Sequence, residues 1–403
     1  MAVTTTDDVQ LIESRHVLQT YRRQPVTLVR GQGVRLYDSD GREYLDLLSG
    51  IGVASLGHAH PGLAKVVAEQ AETLLHTSNL FFHPLQGRLA ESLAALSGLP
   101  RAFFCNSGTE AVEACLKFAR RYWHGSGEDR PELIALEGAF HGRTIGSLSV
   151  TWDEHYRKPF EPLLSNVRWI PMNDVEALRA AVSRRTAAII AEPIQGEGGV
   201  RPMTPAFAAA ISEACGSTGA LLIADEVQSG LGRTGRAFHS ATLGLTPHLI
   251  SIGKALGGGV PVGAALVSEQ VASRVQFGDH GSTYGGNLLA CRAALFVLDA
   301  LTTGELMEHV GKIGQHFETR LRAIAAANPL VKEVRGKGLI WGLDLTRDAA
   351  PVVPAALERG VIVNRTAGTV VRLLPPLIIN AADADLALDR LEAALGAVAQ
   401  DAS

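Results

Sequence analysis

Two apolar runs in this chain end in residues able to do chemistry. Ala220 to Ala224 stops at Asp225-Glu226, and Leu249 to Ile252 stops at Gly253-Lys254, followed by a cluster of glycines. Buried strands of a parallel sheet read as short continuous apolar runs. In open α/β sheets, ligands sit just past the carboxyl ends of the strands. An acid and a lysine at two such ends therefore point into one crevice. A lysine that condenses with an aldehyde, together with an aspartate that pairs with a pyridinium nitrogen, is the combination that binds pyridoxal 5'-phosphate (PLP). Alone, the two residues read more readily as a surface lysine and a helix cap, because charged side chains are mostly exposed.

Other stretches narrow the choice. Asn106-Ser107-Gly108-Thr109-Glu110 follows the apolar AFFC and opens a helical pattern. Unpaired N–H groups and the dipole at a helix N-terminus make a phosphate site, which Gly108 lets the ligand approach and to which Thr109 adds a hydroxyl. A Ser/Thr cap serving only the helix is the competing reading. Phe140-His141-Gly142-Arg143-Thr144 follows LIALEG. Phe140 there is a stacking ring or plain core, and Arg143 is a fork for a substrate carboxylate or a surface ion pair. Gly253-Lys254 is followed by Ala255 and lacks the glycine spacing of a Walker A loop. The GGGVPVG run opens no obvious helix, which leaves a dinucleotide fingerprint weak. His58 and His60 have no third ligand nearby, so GHAHPG reads as a turn and no metal site is expected.

These residues need a scaffold. A helix is expected over Val9 to Tyr21, then an antiparallel hairpin turning at Asp38-Ser39-Asp40-Gly41. Helices lead to Leu96. Strands AFFCN, LIALEG, VRWIP, AAIIAEP and ALLIADEV then alternate with helices over Thr109 to Tyr122, Val175 to Val182 and Pro205 to Cys215. That alternation predicts parallel βαβ units with helices on both faces. Two long helices follow Gly286 to about Ala327. The strand-like LIWGLDL, VIVN and VVRLLPP come next, and then a helix from Ala382 to Val398. The expected architecture is α/β: a large central domain over 61–305 and a smaller α+β domain built from 1–60 and 306–403. No repeat, low-complexity segment or linker interrupts it.

Composition agrees. At 403 residues, a prior of about 150 per domain gives two or three domains. With 46% hydrophobic and 19% charged residues the chain can bury a large core. A net charge of −4 gives no reason for a nucleic-acid surface. The start lacks a secretory pattern and no apolar run approaches about 18 residues, so a cytoplasmic enzyme with no membrane span is expected. Cys105, Cys115, Cys215 and Cys291 are scattered, as reduced thiols would be.

Taken in order, GHAHP, NSGTEAVEA, FHGRT, EPIQGEGG, DEVQSGLGRTG, GKALGGGVPVGA, GSTYGGN and VVRLLPPL resemble the class III (subgroup II) PLP-dependent aminotransferases of fold type I over essentially the whole length. The resemblance implies that Lys254 carries PLP and shuttles the proton, and that Asp225 keeps the pyridine nitrogen protonated. It implies that Gln228 reaches the ring's phenolic oxygen, Val227 backs the ring and Phe140 stacks on its other face. Ser107, Gly108 and Thr109 would bind the phosphate, the latter two through backbone amides. Arg143 and Arg372 would bind substrate carboxylates, with Glu197 switching Arg372 on and off. Ser282 and Thr283 would complete the neighbouring subunit's site, so a homodimer with shared active sites is implied.

DEVQ is similar to the branch acting on acetylornithine, ornithine and 4-aminobutyrate. Ornithine enzymes place a tyrosine before GHxHP where this chain has Ile51, and an apolar residue suits an uncharged α-nitrogen. The implied reaction moves the ω-amino group of N2-acetyl-L-ornithine to 2-oxoglutarate, giving N-acetyl-L-glutamate 5-semialdehyde and L-glutamate in arginine biosynthesis. Succinylornithine, succinyldiaminopimelate, carrier-bound lysine, ornithine and 4-aminobutyrate stay open as donors. A PLP-fold binding protein without turnover is the alternative from another class; it needs no lysine at 254.

Overall fold

A computed structural model describes residues 6–400. Residues 1–5 and 401–403, the extreme ends of the expected smaller domain, lie outside the described residues. The first helix spans Thr6–His16, ending before the expected Tyr21, and it buries none of its residues. No packing is available to extend it. Strands β1 (Leu28–Gln32), β2 (Arg35–Asp38) and β3 (Glu43–Asp46) pair antiparallel in succession. Asp38 closes the expected turn, its Oδ1 accepting from the backbone N–H of Asp40 at 3.0 Å and of Arg42 at 2.8 Å.

The chain then lays down β4 (Arg101–Cys105), β5 (Glu132–Leu136), β6 (Val167–Ile170) and β7 (Thr186–Ala191). A two-stranded ribbon, β8 (Ile194–Gln195) with β9 (Arg201–Pro202), precedes β10 (Leu221–Asp225), β11 (Leu249–Ile252) and β12 (Gly263–Val267). The central sheet has seven strands in the order β4-β12-β11-β10-β7-β5-β6. From β11 to β6 all neighbours are parallel, whereas β12 runs antiparallel to both β4 and β11. That strand escapes a reading by pattern. GAALV is built mostly of small residues and follows a glycine-rich loop that carries no strand signal.

Alternation along each strand divides the core between the two faces. Leu133, Leu221 and Ile223 pack with the helix Gly108–Ser126, while Ile134, Leu136 and Leu222 pack with the helices Val175–Ala181 and Pro205–Thr218. The helix Gly108–Ser126 buries Ala111, Cys115, Phe118 and Ala119, which recur at helical spacing. It starts at the Ser107 cap and stops at Gly127 in a left-handed conformation.

After the helices Leu288–Thr302 and Leu306–Ala327 come β13 (Val331–Lys337), β14 (Ile340–Leu345), β15 (Val361–Ile362), β16 (Asn364–Thr366) and β17 (Val370–Leu373). A second sheet runs β13-β14-β17-β16. β15 instead joins β3 in parallel, so the two ends of the chain share a sheet. The expected VIVN strand is thus split between two sheets, and β13, whose residues are mostly solvent-facing, is an addition. The last helix is Ala381–Gln400. Among the described residues, no helix is long and apolar enough to cross a membrane.

Ile223, fully buried in β10, tests how far the central strands carry the fold. Ile223→Ala is expected to cost about 2–5 kcal/mol in urea unfolding. Leu18→Ala, at a residue 83% exposed, should stay within about 0.5 kcal/mol.

Candidate active site

Asp225 ends β10 and pairs in register with Ser251 of β11, three residues before Lys254. The expected pair therefore leaves adjacent strands at the same end of the sheet. With the loops after β5 and β7 they line a cavity of about 230 Å³. Asp225 is 4% exposed. Its Oδ2 lies 2.7 Å from His141 Nδ1, and its Oδ1 accepts from the Val227 N–H at 3.1 Å. Both oxygens are held, so the carboxylate has a defined direction.

Lys254 sits at φ 38°, a left-handed backbone that side chains other than glycine's rarely adopt. Burial lowers its amine below the ordinary lysine range and Arg372 adds to the effect, against the opposing pull of Glu197, Asp225 and Glu192. Phe140 and Val227 supply apolar walls to the same cavity.

Gly108 and Thr109 line the cavity from the N-terminus of their helix, where the first N–H groups have no partner within the helix. A Cβ on Gly108 would stand 2.6 Å from Val227 Cγ1, so only glycine lets the helix start this close to the wall. Ser107 is committed to capping: its Oγ accepts from Glu110 N and donates to Glu110 Oε2 at 2.9 Å. The Thr109 hydroxyl is occupied too. It bonds to Ser147 Oγ at 2.7 Å and accepts from the Arg143 N–H at 3.1 Å. Its expected addition to a phosphate site gives way to anchoring the Arg143 loop, which leaves the backbone amides.

Arg372, on β17, is fully buried. Its Nη1 meets Glu197 Oε1 at 2.5 Å and Gln228 Oε1 at 3.3 Å, and its Nε donates to Asn364 Oδ1 at 3.2 Å. Its Nη2 is buried without a hydrogen-bond partner among the described residues. Burial would raise the Glu197 carboxyl, but the charges of Arg372 and Lys254 outweigh it and hold the acid below its usual range. Arg143 is exposed, with its guanidinium 3.3 Å over the Tyr156 ring. A larger cavity of about 760 Å³, lined in part by Tyr156, adjoins the first; Phe140 and Glu197 line both.

Of the expected residues, Ser107, Arg372, Ser282 and Thr283 do not line this cavity, the last two being expected at the neighbouring subunit's site. Thr283 is exposed, and Ser282 Oγ bonds to Gly285 N and lies 3.4 Å from Asn106 Nδ2. Ile51 is 40% exposed and does not line either cavity. His58 pairs with Asp46 at 2.7 Å, and His60 caps the helix Pro61–Thr73.

Sequence reasoning gave no role to His141, Glu192, Tyr156 or Asn364. Glu192 carried the same signal as Asp225, an acid where the apolar run of β7 stops. It is buried, with Oε1 accepting from Phe140 N at 2.9 Å and Oε2 from Gly196 N at 3.1 Å. Burial pushes its carboxyl up to about 7, with Asp225 adding and His141 opposing.

The donor set fits PLP: a buried amine, a directed carboxylate, two apolar walls and a helix N-terminus around one small cavity. The family described as Aminotransferase class-III matches residues 18–395. The acetylornithine aminotransferase of Methanocaldococcus jannaschii is 44% identical over 94% of this chain and 96% of that protein. That of Archaeoglobus fulgidus is 46% identical over 94% and 97%. The structure of the ornithine aminotransferase from Toxoplasma gondii matches with a TM-score of 0.95 and 33% identity, covering 99% of this chain and 96% of that one.

Because Glu192 holds its proton more tightly folded than unfolded, its contribution to stability is complete below pH 4.5 and is lost as pH rises through about 7. Urea unfolding of the cofactor-free protein should therefore show the wild type losing about 3 kcal/mol relative to Glu192→Gln between those limits. A pH-independent difference would show that Glu192 titrates normally.

Proposed function

This chain belongs to the class III aminotransferases, and from that premise we propose that it transfers the ω-amino group of N2-acetyl-L-ornithine to 2-oxoglutarate. The products are N-acetyl-L-glutamate 5-semialdehyde and L-glutamate, and the setting is arginine biosynthesis in the cytoplasm. The cofactor is PLP. The relatives named acetylornithine aminotransferase support the donor. The observation that carries the chemistry is the buried Arg372 paired with Glu197 beside Lys254, while Arg143 stands without a carboxylate among the described residues.

In this reading the amides of Gly108 and Thr109, with Ser107 fixing the helix start, hold the phosphate. Phe140 and Val227 enclose the ring, Gln228 reaches its oxygen, Asp225 pairs with its nitrogen, and Thr283 reaches the partner's cofactor. PLP supplies an electron sink for the carbon that loses a proton. Lys254 holds and moves that proton at Nζ. Its lowered basicity leaves more neutral amine at neutral pH than an ordinary lysine, as a base requires.

The two substrates differ at the reacting end. The donor offers an amine with its carboxylate far away, which Arg143 receives. The acceptor offers a carboxylate next to its reacting carbon, which Arg372 receives once Glu197 releases it. With the donor in place Glu197 masks the guanidinium, since a buried charge without a partner is costly.

The division into 61–305 and a smaller part from both ends belongs to the same proposal, as does a homodimer. Leu80, Phe81, Phe82 and Tyr284 are exposed large apolar side chains, and Tyr284 adjoins Ser282 and Thr283, which supports a second copy covering this face.

A donor panel against 2-oxoglutarate tests the substrate: kcat/KM should be highest for acetylornithine, and a higher value for ornithine or 4-aminobutyrate would reassign the chain within its family. Glu197→Ala should slow the half-reaction with the ω-amine by at least about tenfold more than that with glutamate. Arg372→Ala should do the reverse. Equal losses in both half-reactions would make the pair structural only. Lys254→Ala and Thr283→Ala homodimers should each be impaired, and subunit exchange between them should restore activity; proven exchange without gain would remove the shared site.

A further inference from the structure

Arg143 has no carboxylate partner among the described residues, yet its guanidinium is not free to wander. The guanidinium carbon lies 3.3 Å from the centroid of the Tyr156 ring and 5.6 Å from that of Phe140. The two rings meet edge to face, 6.3 Å apart at 86°. A cation within about 6 Å of a ring centroid is attracted by the ring's negative face. A planar guanidinium lying on a ring also keeps its edge N–H groups directed outward, where a carboxylate can take two of them.

Tyr156 is itself well seated. It belongs to the short helix Glu154–Arg157, capped by Asp153, whose Oδ1 accepts from His155 N at 2.9 Å. Arg157 closes that turn by donating to the Trp152 carbonyl through Nε and Nη2, at 3.1 and 2.9 Å. The Tyr156 hydroxyl has no hydrogen-bond partner among the described residues, so what this side chain offers Arg143 is its face. From the other side, Thr109 Oγ1 accepts from the Arg143 N–H and fixes the backbone beneath it. The guanidinium is thus held at both ends while its carboxylate-binding edge stays open. Tyr156 also lines the larger cavity, and Phe140 bridges the two.

We propose that Tyr156 is a positioning residue for substrate recognition, a ring shelf that holds Arg143 where the carboxylate distant from the reacting amine arrives. The proposal rests on the reading of Arg143 as a carboxylate ligand. Its physical content is preorganisation. An arginine loses side-chain freedom when it binds a carboxylate, and a shelf that has already restricted it removes part of that cost from the binding step. Loss of the shelf therefore weakens substrate binding and leaves the proton-transfer machinery at Lys254 alone. The signature is a raised KM with an unchanged kcat.

The probe is N2-acetyl-L-norvaline, which has the acyl group and carboxylate of the proposed donor but no terminal amine and so cannot react. Its Kd is measured by calorimetry on the PLP-loaded enzyme, alongside kcat and KM for acetylornithine. Tyr156→Leu should raise the probe Kd and the KM by roughly 3- to 30-fold, the range of a cation–π contact, with kcat unchanged. Tyr156→Phe keeps the face and should hold the Kd within about twofold of the parent. Tyr156→Met gives a second ringless side chain with the same expectation as leucine, should leucine fail to fold. The double variant Arg143→Ala with Tyr156→Leu should bind the probe no more weakly than Arg143→Ala alone, because the ring acts only through the guanidinium. A Tyr156→Leu enzyme that binds the probe like the parent overturns the proposal. So does one that loses kcat at unchanged Kd, or one whose loss adds to that of Arg143→Ala. If Arg143→Ala itself leaves probe binding intact, the reading of Arg143 fails and the shelf fails with it; a loss there with none at Tyr156 removes the shelf alone.

Discussion

A guanidinium with no access to water has to be given a counter-charge, and Arg372 is fully buried. The cost of leaving it unpaired is several kcal/mol, more than any single apolar contact nearby can offset. The partner, Glu197, stands just beyond β8, in the stretch between β7 and β10 of the central sheet, whereas Arg372 lies on β17 of the second sheet. One ion pair thus joins two sheets across the edge of the cavity. Asn364 of β16 and Gln228 beyond β10 complete its surroundings, and Thr366 donates to the Glu197 carbonyl at 2.6 Å. One guanidinium nitrogen is left over, buried and without a protein partner among the described residues.

The same desolvation acts in opposite senses on the groups within reach. It lowers Lys254, because the charged form is the ammonium, and raises Glu192, because the charged form is the carboxylate. Glu197 escapes because two cations face it and Arg372 and Thr366 donate hydrogen bonds to it. The cavity therefore sorts its acids by neighbourhood: one held ionised by an arginine, one brought near neutrality by burial, and Asp225 directed by His141 and the Val227 amide. Glu192 also joins the Phe140 backbone to that of Gly196, next to Glu197, so one carboxyl spans two walls of the cavity.

Much of this was legible in residue order, and the reasons are local. Apolar runs that stop at Asp225 and just before Lys254 place both at strand ends whatever the surroundings, and the Ser107 cap marks a helix start by itself. The failures are equally physical. β12 is as long as β10 but too small in its side chains to announce itself, and β13 is only partly buried. Glu192 sat at a strand end like Asp225, but its meaning comes from two backbone amides that approach only in the folded chain. The Thr109 hydroxyl looked available for a phosphate and is taken by Ser147 and Arg143, from a loop more than thirty residues away. Ile51, a position chosen by counting along a motif, is half-exposed and lines neither of the two cavities around Lys254 and Tyr156.

In the proposed reading, the two arginines let one pocket serve unlike substrates. Arg372 is buried, paired and close to Lys254; Arg143 is exposed, lies on an aromatic ring and has no acid beside it. An aromatic face attracts a guanidinium without competing for its hydrogen bonds, whereas a carboxylate occupies them. The stacked arginine therefore stays open to any carboxylate, and the paired one opens only when something displaces its glutamate. In that reading the arginine that can be hidden receives the carboxylate next to the reacting carbon, where donor and acceptor differ in charge. The arginine that stays open receives the distant carboxylate that both substrates carry.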